Sequence, residues 1–167
     1  MMKSSLLQRW FKGQDPSTSS DTLNHKRFQN LTVLIVDDSR TQLYAMEKML
    51  QSMGIATLTA ENGKQGILLA RHKKPDIVLM DIVMPEINGF QATRYLTRQP
   101  DTRHIPIVII SGSDQMSDKA WGLKLGARDY LSKPVDKKQL LLTIARVLDE
   151  AALQVSEPVP VVAAQAL

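Results

Sequence analysis

Residues Leu31–Ser39 read LTVLIVDDS. An apolar run, rich in branched side chains, meets two adjacent acids and then a serine. A strand that is apolar on both faces belongs in a sheet covered on both sides. Ser39 is placed to cap a helix, and Leu43, Met46, Leu50 and Met53 follow at helical spacing until Gly54. The same unit then recurs. Ile55–Ala60 reads as a second strand, and Asn62–Lys73 as a helix that Gly63 and Gly66 should weaken. Ile77–Asp81 is a third strand, again ending in an acid, with a short helix over Gly89–Arg98. Ile105–Ile110 ends at Ser111 and precedes a helix over Asp114–Leu125. Arg128–Leu131 is a short fifth strand, and Asp136–Glu150 is the last helix.

Five strand–helix units with right-handed crossovers predict an α/β fold: a doubly wound, flavodoxin-like (βα)5 parallel sheet of strand order 2-1-3-4-5. Three zones follow along the chain. Residues 1–30 form an extension containing the turn-prone run GQDPSTSSD at 13–21; 31–150 hold the domain; 151–167 read as a loose tail.

Composition narrows the chemistry. The chain of 167 residues has no cysteine and three histidines, which excludes disulfides, thiol catalysis, iron–sulfur clusters and cysteine-based zinc sites. No apolar run approaches the roughly 18–20 residues that span a bilayer, and no signal peptide is visible. A soluble cytoplasmic protein is expected. The net charge of +4 invites a nucleic-acid reading, but residues 1–30 hold five basic and two acidic side chains, against sixteen and fourteen in 31–150. The excess sits mostly in the flank, so DNA is not an expected partner.

The strand ends carry the chemistry. Asp37 and Asp38 follow strand 1, Asp81 ends strand 3, Ser111 ends strand 4, and Lys133-Pro134 follow strand 5. Strands 1 and 3 are neighbours in the expected order, so three carboxylates converge where such sheets bind ligands. Their mutual repulsion needs a cation, and an all-oxygen donor set suits Mg²⁺. Lys133 supplies a mobile positive charge suited to a phosphate oxygen.

The segments VLIVDDS (33–39), DIVLMDIVMPEINGF (76–90), IVIISGS (107–113) and GARDYLSKP (126–134) together resemble response-regulator receiver domains, the CheY-like family. The resemblance covers essentially 31–150 and is strongest to the stand-alone receivers of the type IV pilus, chemotaxis-like system of twitching motility. It implies that Asp81 accepts a phosphoryl group from a histidine kinase. It implies that Asp37, Asp38, Asp81 and the backbone carbonyl of Val83 hold Mg²⁺, and that Ser111 and Lys133 stabilise the phosphoryl group. Tyr130 matches the aromatic that reorients on activation, and Lys133-Pro134 matches a cis bond. The readout face would be the helix 4–strand 5–helix 5 surface, with Trp121, Lys124, Arg128 and Lys137. Trp121 is open to two readings, an exposed contact anchor or a core residue. Valine at 83 cannot orient an attacking water, so slow loss of phosphate is expected.

Other functions meet obstacles. A haloacid-dehalogenase-like phosphatase would want a second acid two residues after its nucleophile, where this chain has Val83. The readings of output carrier, phosphate sink, and receiver of another chemosensory or transcriptional pathway all stay open, and the output partner, a pilus motor or chemosensory component among the candidates, is not specified. Near the start of the chain, Leu6, Leu7, Trp10 and Phe11 recur at helical spacing among Lys3, Arg9 and Lys12. This is either an amphipathic segment that docks weakly on a membrane or partner, or a plain tail.

Overall fold

The structure is a computed structural model that describes residues 28–155. The expected alternation is present: β1 (Thr32–Val36), α1 (Arg40–Gln51), β2 (Ala56–Ala60), α2 (Gly63–Lys73), β3 (Ile77–Asp81), α3 (Gly89–Arg98), β4 (Ile107–Ser111), α4 (Met116–Lys124), β5 (Asp129–Ser132) and α5 (Lys137–Val155). The five strands form one parallel sheet in the order β2-β1-β3-β4-β5.

The two faces are closed by different helices. Val33, Ile35, Leu79 and Ile110 meet Leu43 and Leu50 of α1 and Leu140 and Ile144 of α5. Leu34, Val36, Val78 and Met80 meet Ala70 of α2 and Ala92 and Leu96 of α3. Alternate residues of the central strands serve opposite faces, which is why those strands read as unbroken apolar runs. The third helix–sheet contact is smaller: Ile82, Ile109, Ala127 and Tyr130, with Phe90 against them. Gly122 is the one buried residue of α4.

Local chemistry sets the helix starts. Ser39, Asn62 and Asn88 each accept a bond from a first-turn amide of α1, α2 and α3, and Asn88 and Gln91 form a reciprocal capping box. Pro106 delays β4 to Ile107, two residues later than the apolar pattern suggested. Helix α5 continues five residues beyond Glu150, because Ala151, Ala152, Leu153 and Gln154 all favour helix. Arg128 secures that last turn by donating to Gln154 Oε1 at 2.6 Å.

Gly63 and Gly66 stand where α2 is closely approached. A Cβ on Gly66 would lie 2.8 Å from Val36 Cγ2, and one on Gly63 would strike the Ile87 carbonyl. They are the places where α2 lies closest to the sheet and to the loop before α3, so lost helix propensity is exchanged for close packing. The packed unit also reaches back beyond Leu31. Phe28 is 3% exposed within the α1–α5 core, and its carbonyl accepts a bond from the Leu31 amide.

Candidate functional site

The carboxyl edge of the sheet gathers the predicted acids. The Asp37 amide continues the ladder by donating to the Ala60 carbonyl at 3.1 Å, which fixes the residue at the end of β1. Asp37 and Asp81 are buried and Asp38 is exposed. One carboxylate oxygen from each of the three lies within 4.8 Å of the others. Hard oxygen donors at this spacing fit a divalent cation such as Mg²⁺, which keeps part of its water shell.

Lys133 closes the site from the β5 side, just before its cis bond to Pro134. Its Nζ donates to Asp37 Oδ2 at 2.7 Å and to Asp81 Oδ1 at 2.9 Å, so one ammonium bridges two buried carboxylates. Burial pushes the Asp81 carboxyl above the usual aspartate range, and the Lys133 hydrogen bond only partly offsets it. Burial pulls the Lys133 ammonium down, but its bonds to Asp37 and Asp81 outweigh that and leave it above its ordinary value. The two shifts are compatible, since Lys133 serves two carboxylates and Asp81 receives only part of its charge.

Two details of the site were not read from the sequence. The Ser39 amide donates to Asp37 Oδ1 at 2.9 Å, so the helix-capping serine also orients an acid. Gly89 lies so close to the Asp81 carbonyl that any Cβ would collide with it, and its amide donates to the Ile82 carbonyl at 2.9 Å. The Asn88-Gly89 pair was visible as a helix start, but a close approach across space leaves no local signal.

Ser111 ends β4 one residue beyond the Asp81–Ile110 register pair, and its Oγ accepts from the Ser113 amide at 3.0 Å. The Tyr130 ring lies inside, against Ile82 and Ile109, with its hydroxyl donating to the Ser113 carbonyl at 2.7 Å. The loop that holds Ser111 is therefore tied to the β5 aromatic. Val83 is 76% exposed at the rim.

The predicted readout residues turn to different neighbours. Trp121 is 48% exposed, which selects the surface reading over the core one, and Lys124 Nζ lies 5.6 Å from its ring centroid. Arg128 turns to Gln154 on α5. Lys137 donates to Ser52 Oγ at 3.0 Å, directing it toward α1 rather than toward Trp121. Leu6, Leu7, Trp10 and Phe11 lie outside the described residues. No helix among the described residues is long and apolar enough to cross a membrane.

Comparison with known proteins agrees with this geometry. The family described as response regulator receiver domain matches residues 33–145. Protein PilH of Pseudomonas aeruginosa is 57% identical over 116 residues, covering 70% of this chain and 96% of that protein. The polar-differentiation response regulator DivK of Brucella anthropi is 30% identical over 120 residues, covering 72% of this chain and 98% of DivK. Among solved structures, the receiver domain of the Pseudomonas aeruginosa sensor histidine kinase PA1611 superposes with a TM-score of 0.67 at 28% identity. That match covers 71% of this chain and 98% of the PA1611 receiver, whose crystal structure has a magnesium ion coordinated in the active site cleft.

Proposed function

The chain belongs to the response regulator receiver family, and on that premise we propose that it is a phosphorylation switch in which Asp81 takes a phosphoryl group from a histidine kinase. The observation that carries this reading is the Lys133 bridge between Asp37 and Asp81 within a three-carboxylate cluster. A carboxylate attacks a phosphoryl group poorly because both are anionic. Here Asp81 lies at the strand end in reach of a positive charge, and two further acids stand ready for a divalent ion. Mg²⁺ held by Asp37, Asp38, Asp81 and the Val83 carbonyl would neutralise charge on the transferring oxygens. Lys133 would release Asp37 and pair with the new phosphoryl group, and the Ser111 hydroxyl would leave the Ser113 amide to donate to it. Because Ser113 also receives the Tyr130 hydroxyl, that movement reaches β5 and the exposed face of α4.

The protein so acts as a regulatory phosphoacceptor of the cytoplasm rather than an enzyme, and Val83 stands where a phosphatase of related chemistry would need a general acid. The 57% identity to PilH and the resemblance of 80–94 and 118–136 to type IV pilus receivers support a place in the chemotaxis-like control of twitching motility. The test is incubation with acetyl phosphate and Mg²⁺, followed by intact-protein mass spectrometry. One phosphoryl mass is expected, absent with chelator and absent in Asp81→Ala. A gain that persists in Asp81→Ala overturns the assignment.

A further inference from the structure

Helices α2 and α3 lie side by side on one face of the sheet. Gly63 of α2 meets the Ile87 carbonyl ahead of α3, and further along Arg71 pairs with Asp101 after α3 at 3.1 Å. Gly66 and Ala70 of α2, and Ala92 and Leu96 of α3, are buried against the sheet side. The outward residues repeat one pattern on both helices. Lys64, Leu68 and Arg71 follow at i, i+4 and i+7 on α2, and Gln91, Tyr95 and Arg98 do so on α3. All six are exposed. Each row is polar or basic at its ends and apolar at its centre.

The charge of this helix pair is one-sided. Neither α2 (GKQGILLARHK) nor α3 (GFQATRYLTR) holds an aspartate or glutamate. Each of the other helices does: Glu47 in α1, Asp118 in α4, Asp149 and Glu150 in α5. The acids in the flanking loops are engaged or face elsewhere. Glu61 pairs with Arg40 at 3.1 Å, Asp101 pairs with Arg71 and with Lys74 at 3.8 Å, and Asp76 Oδ2 accepts from the Thr32 amide at 2.7 Å. Glu86 stands in the loop after β3, toward the Asp81 edge. Lys64, Arg94 and Arg98 have no acidic partner among the described residues. Arg71 is held above its ordinary value first by its bond to Asp101 and next by Tyr95, so the α3 ring lies within electrostatic reach of the α2 guanidinium.

Apolar surface sits amid these bases. Leu68 is 46% exposed and Tyr95 38%. Both stand apart from α4 and β5, where the link from Ser113 to Tyr130 leads, so the switch proposed above leaves them unused. The combination selects the kind of partner. A nucleic acid would satisfy the bases but gain nothing from Leu68, and its nucleobases would find only a partly covered Tyr95 ring for stacking. Two apolar residues, each less than half exposed, are too few to insert into a bilayer. A helix whose carboxylates flank an aliphatic stripe uses both features. Its stripe covers Leu68 and Tyr95 while its acids meet the unpaired Lys64, Arg94 and Arg98.

We propose that the α2–α3 face docks an acidic amphipathic helix of a partner protein, with Leu68 and Tyr95 as the apolar centre of the contact and Lys64, Arg94 and Arg98 as its charged rim. The contact is a second surface of the receiver, separate from the phosphoryl site and from the α4–β5 readout.

The probe is a synthetic peptide of about 20 residues, long enough to form a helix, with leucine along one stripe, glutamate flanking it and alanine elsewhere. It is titrated into the full, unphosphorylated chain and followed by amide chemical shifts. Shifts are expected in α2 and α3 around Leu68 and Tyr95, with an affinity that falls as salt rises. Leu68→Ser should weaken binding about tenfold, as for a central apolar anchor. Arg98→Gln should weaken it about threefold, as for an exposed charge pair. Arg128→Gln, a base outside the face, should leave it unchanged. Acetyl phosphate labelling of all these variants should equal that of the parent, which separates this inference from the phosphoacceptor reading. No binding, equal binding of a peptide of the same composition in scrambled order, or shifts centred outside α2 and α3 overturns the proposal. So does tighter binding of single-stranded DNA or of phosphatidylglycerol vesicles to the same face.

Discussion

Lys133 decides the energetics of the site at the scale of single residues. Its ammonium bridges Asp37 and Asp81, so Lys133→Met leaves buried carboxylates without their counter-charge, and a loss of about 3 kcal/mol is expected in urea denaturation. Asp81 behaves in the opposite sense. Its folded carboxyl binds a proton more tightly than the unfolded one, so its ionised form costs stability at neutral pH, and that cost is relieved as pH falls through the folded value. In chelator, Asp81→Asn should therefore raise stability by about 1 kcal/mol at pH 7, and the gain should shrink on acidification. A variant less stable than the parent at pH 7 contradicts this. The Lys133 contribution runs the other way: it is fully present below the ordinary lysine range and lost only as pH rises through the raised folded value. At the rim, exposed Val83 offers no hydrogen bond to an attacking water, so phosphate once gained should outlast seconds. Time-resolved decay of the Mg²⁺-loaded phosphoprotein checks it, a half-life of seconds or less being the contrary result.

The elements differ in how firmly they are held. Helix α1 buries Leu43, Met46 and Leu50, whereas α4 buries only Gly122 and exposes Met116, Trp121 and Leu123. Leu50→Ala should cost about 2–5 kcal/mol. Amides of α4 should exchange with deuterium well before those of α1, and equal protection would contradict the weak anchoring. Gly89→Ala should perturb the Asp81 backbone itself, lowering both stability and labelling, because the added methyl meets a carbonyl that cannot swing away. These contacts also mark the limit of what the sequence shows. Strand order and the convergence of Asp37, Asp38 and Asp81 were legible, because an acid closing an apolar run is a local pattern and the α/β topology does the rest. Gly63 and Gly66 read as weak helix because their partners, Ile87 and Val36, lie elsewhere in the chain. The same holds for Tyr130: its residue type was informative, but its hydrogen bond to the Ser113 carbonyl spans 17 positions. The bond from Lys137 to Ser52 spans 85 positions, and the reach of a long side chain has no periodicity.

At the scale of the whole molecule, Asp37, Asp38 and Asp81 gather at the end that would hold metal and phosphate, whereas Arg71, Lys73, Lys74, Arg98 and Arg103 are exposed at and beyond the ends of α2 and α3. A net charge of +4 gives no hint of this placement, which depends on where helices finish. Phe28 joins the folded unit to its extension. Phe28→Ala should cost about 3–5 kcal/mol in urea, while removal of residues 1–27 should leave stability within about 0.5 kcal/mol. A large loss on that removal would make the extension part of the folded core.

The central claim is that Asp81, among three clustered carboxylates, carries the phosphoryl group. Borohydride reduction of the acetyl phosphate-labelled protein converts an acyl phosphate to an alcohol, and peptide mass spectrometry then locates the reduced residue. Homoserine is expected at position 81, formed only with Mg²⁺. Homoserine at 37 or 38 with 81 intact would contradict it.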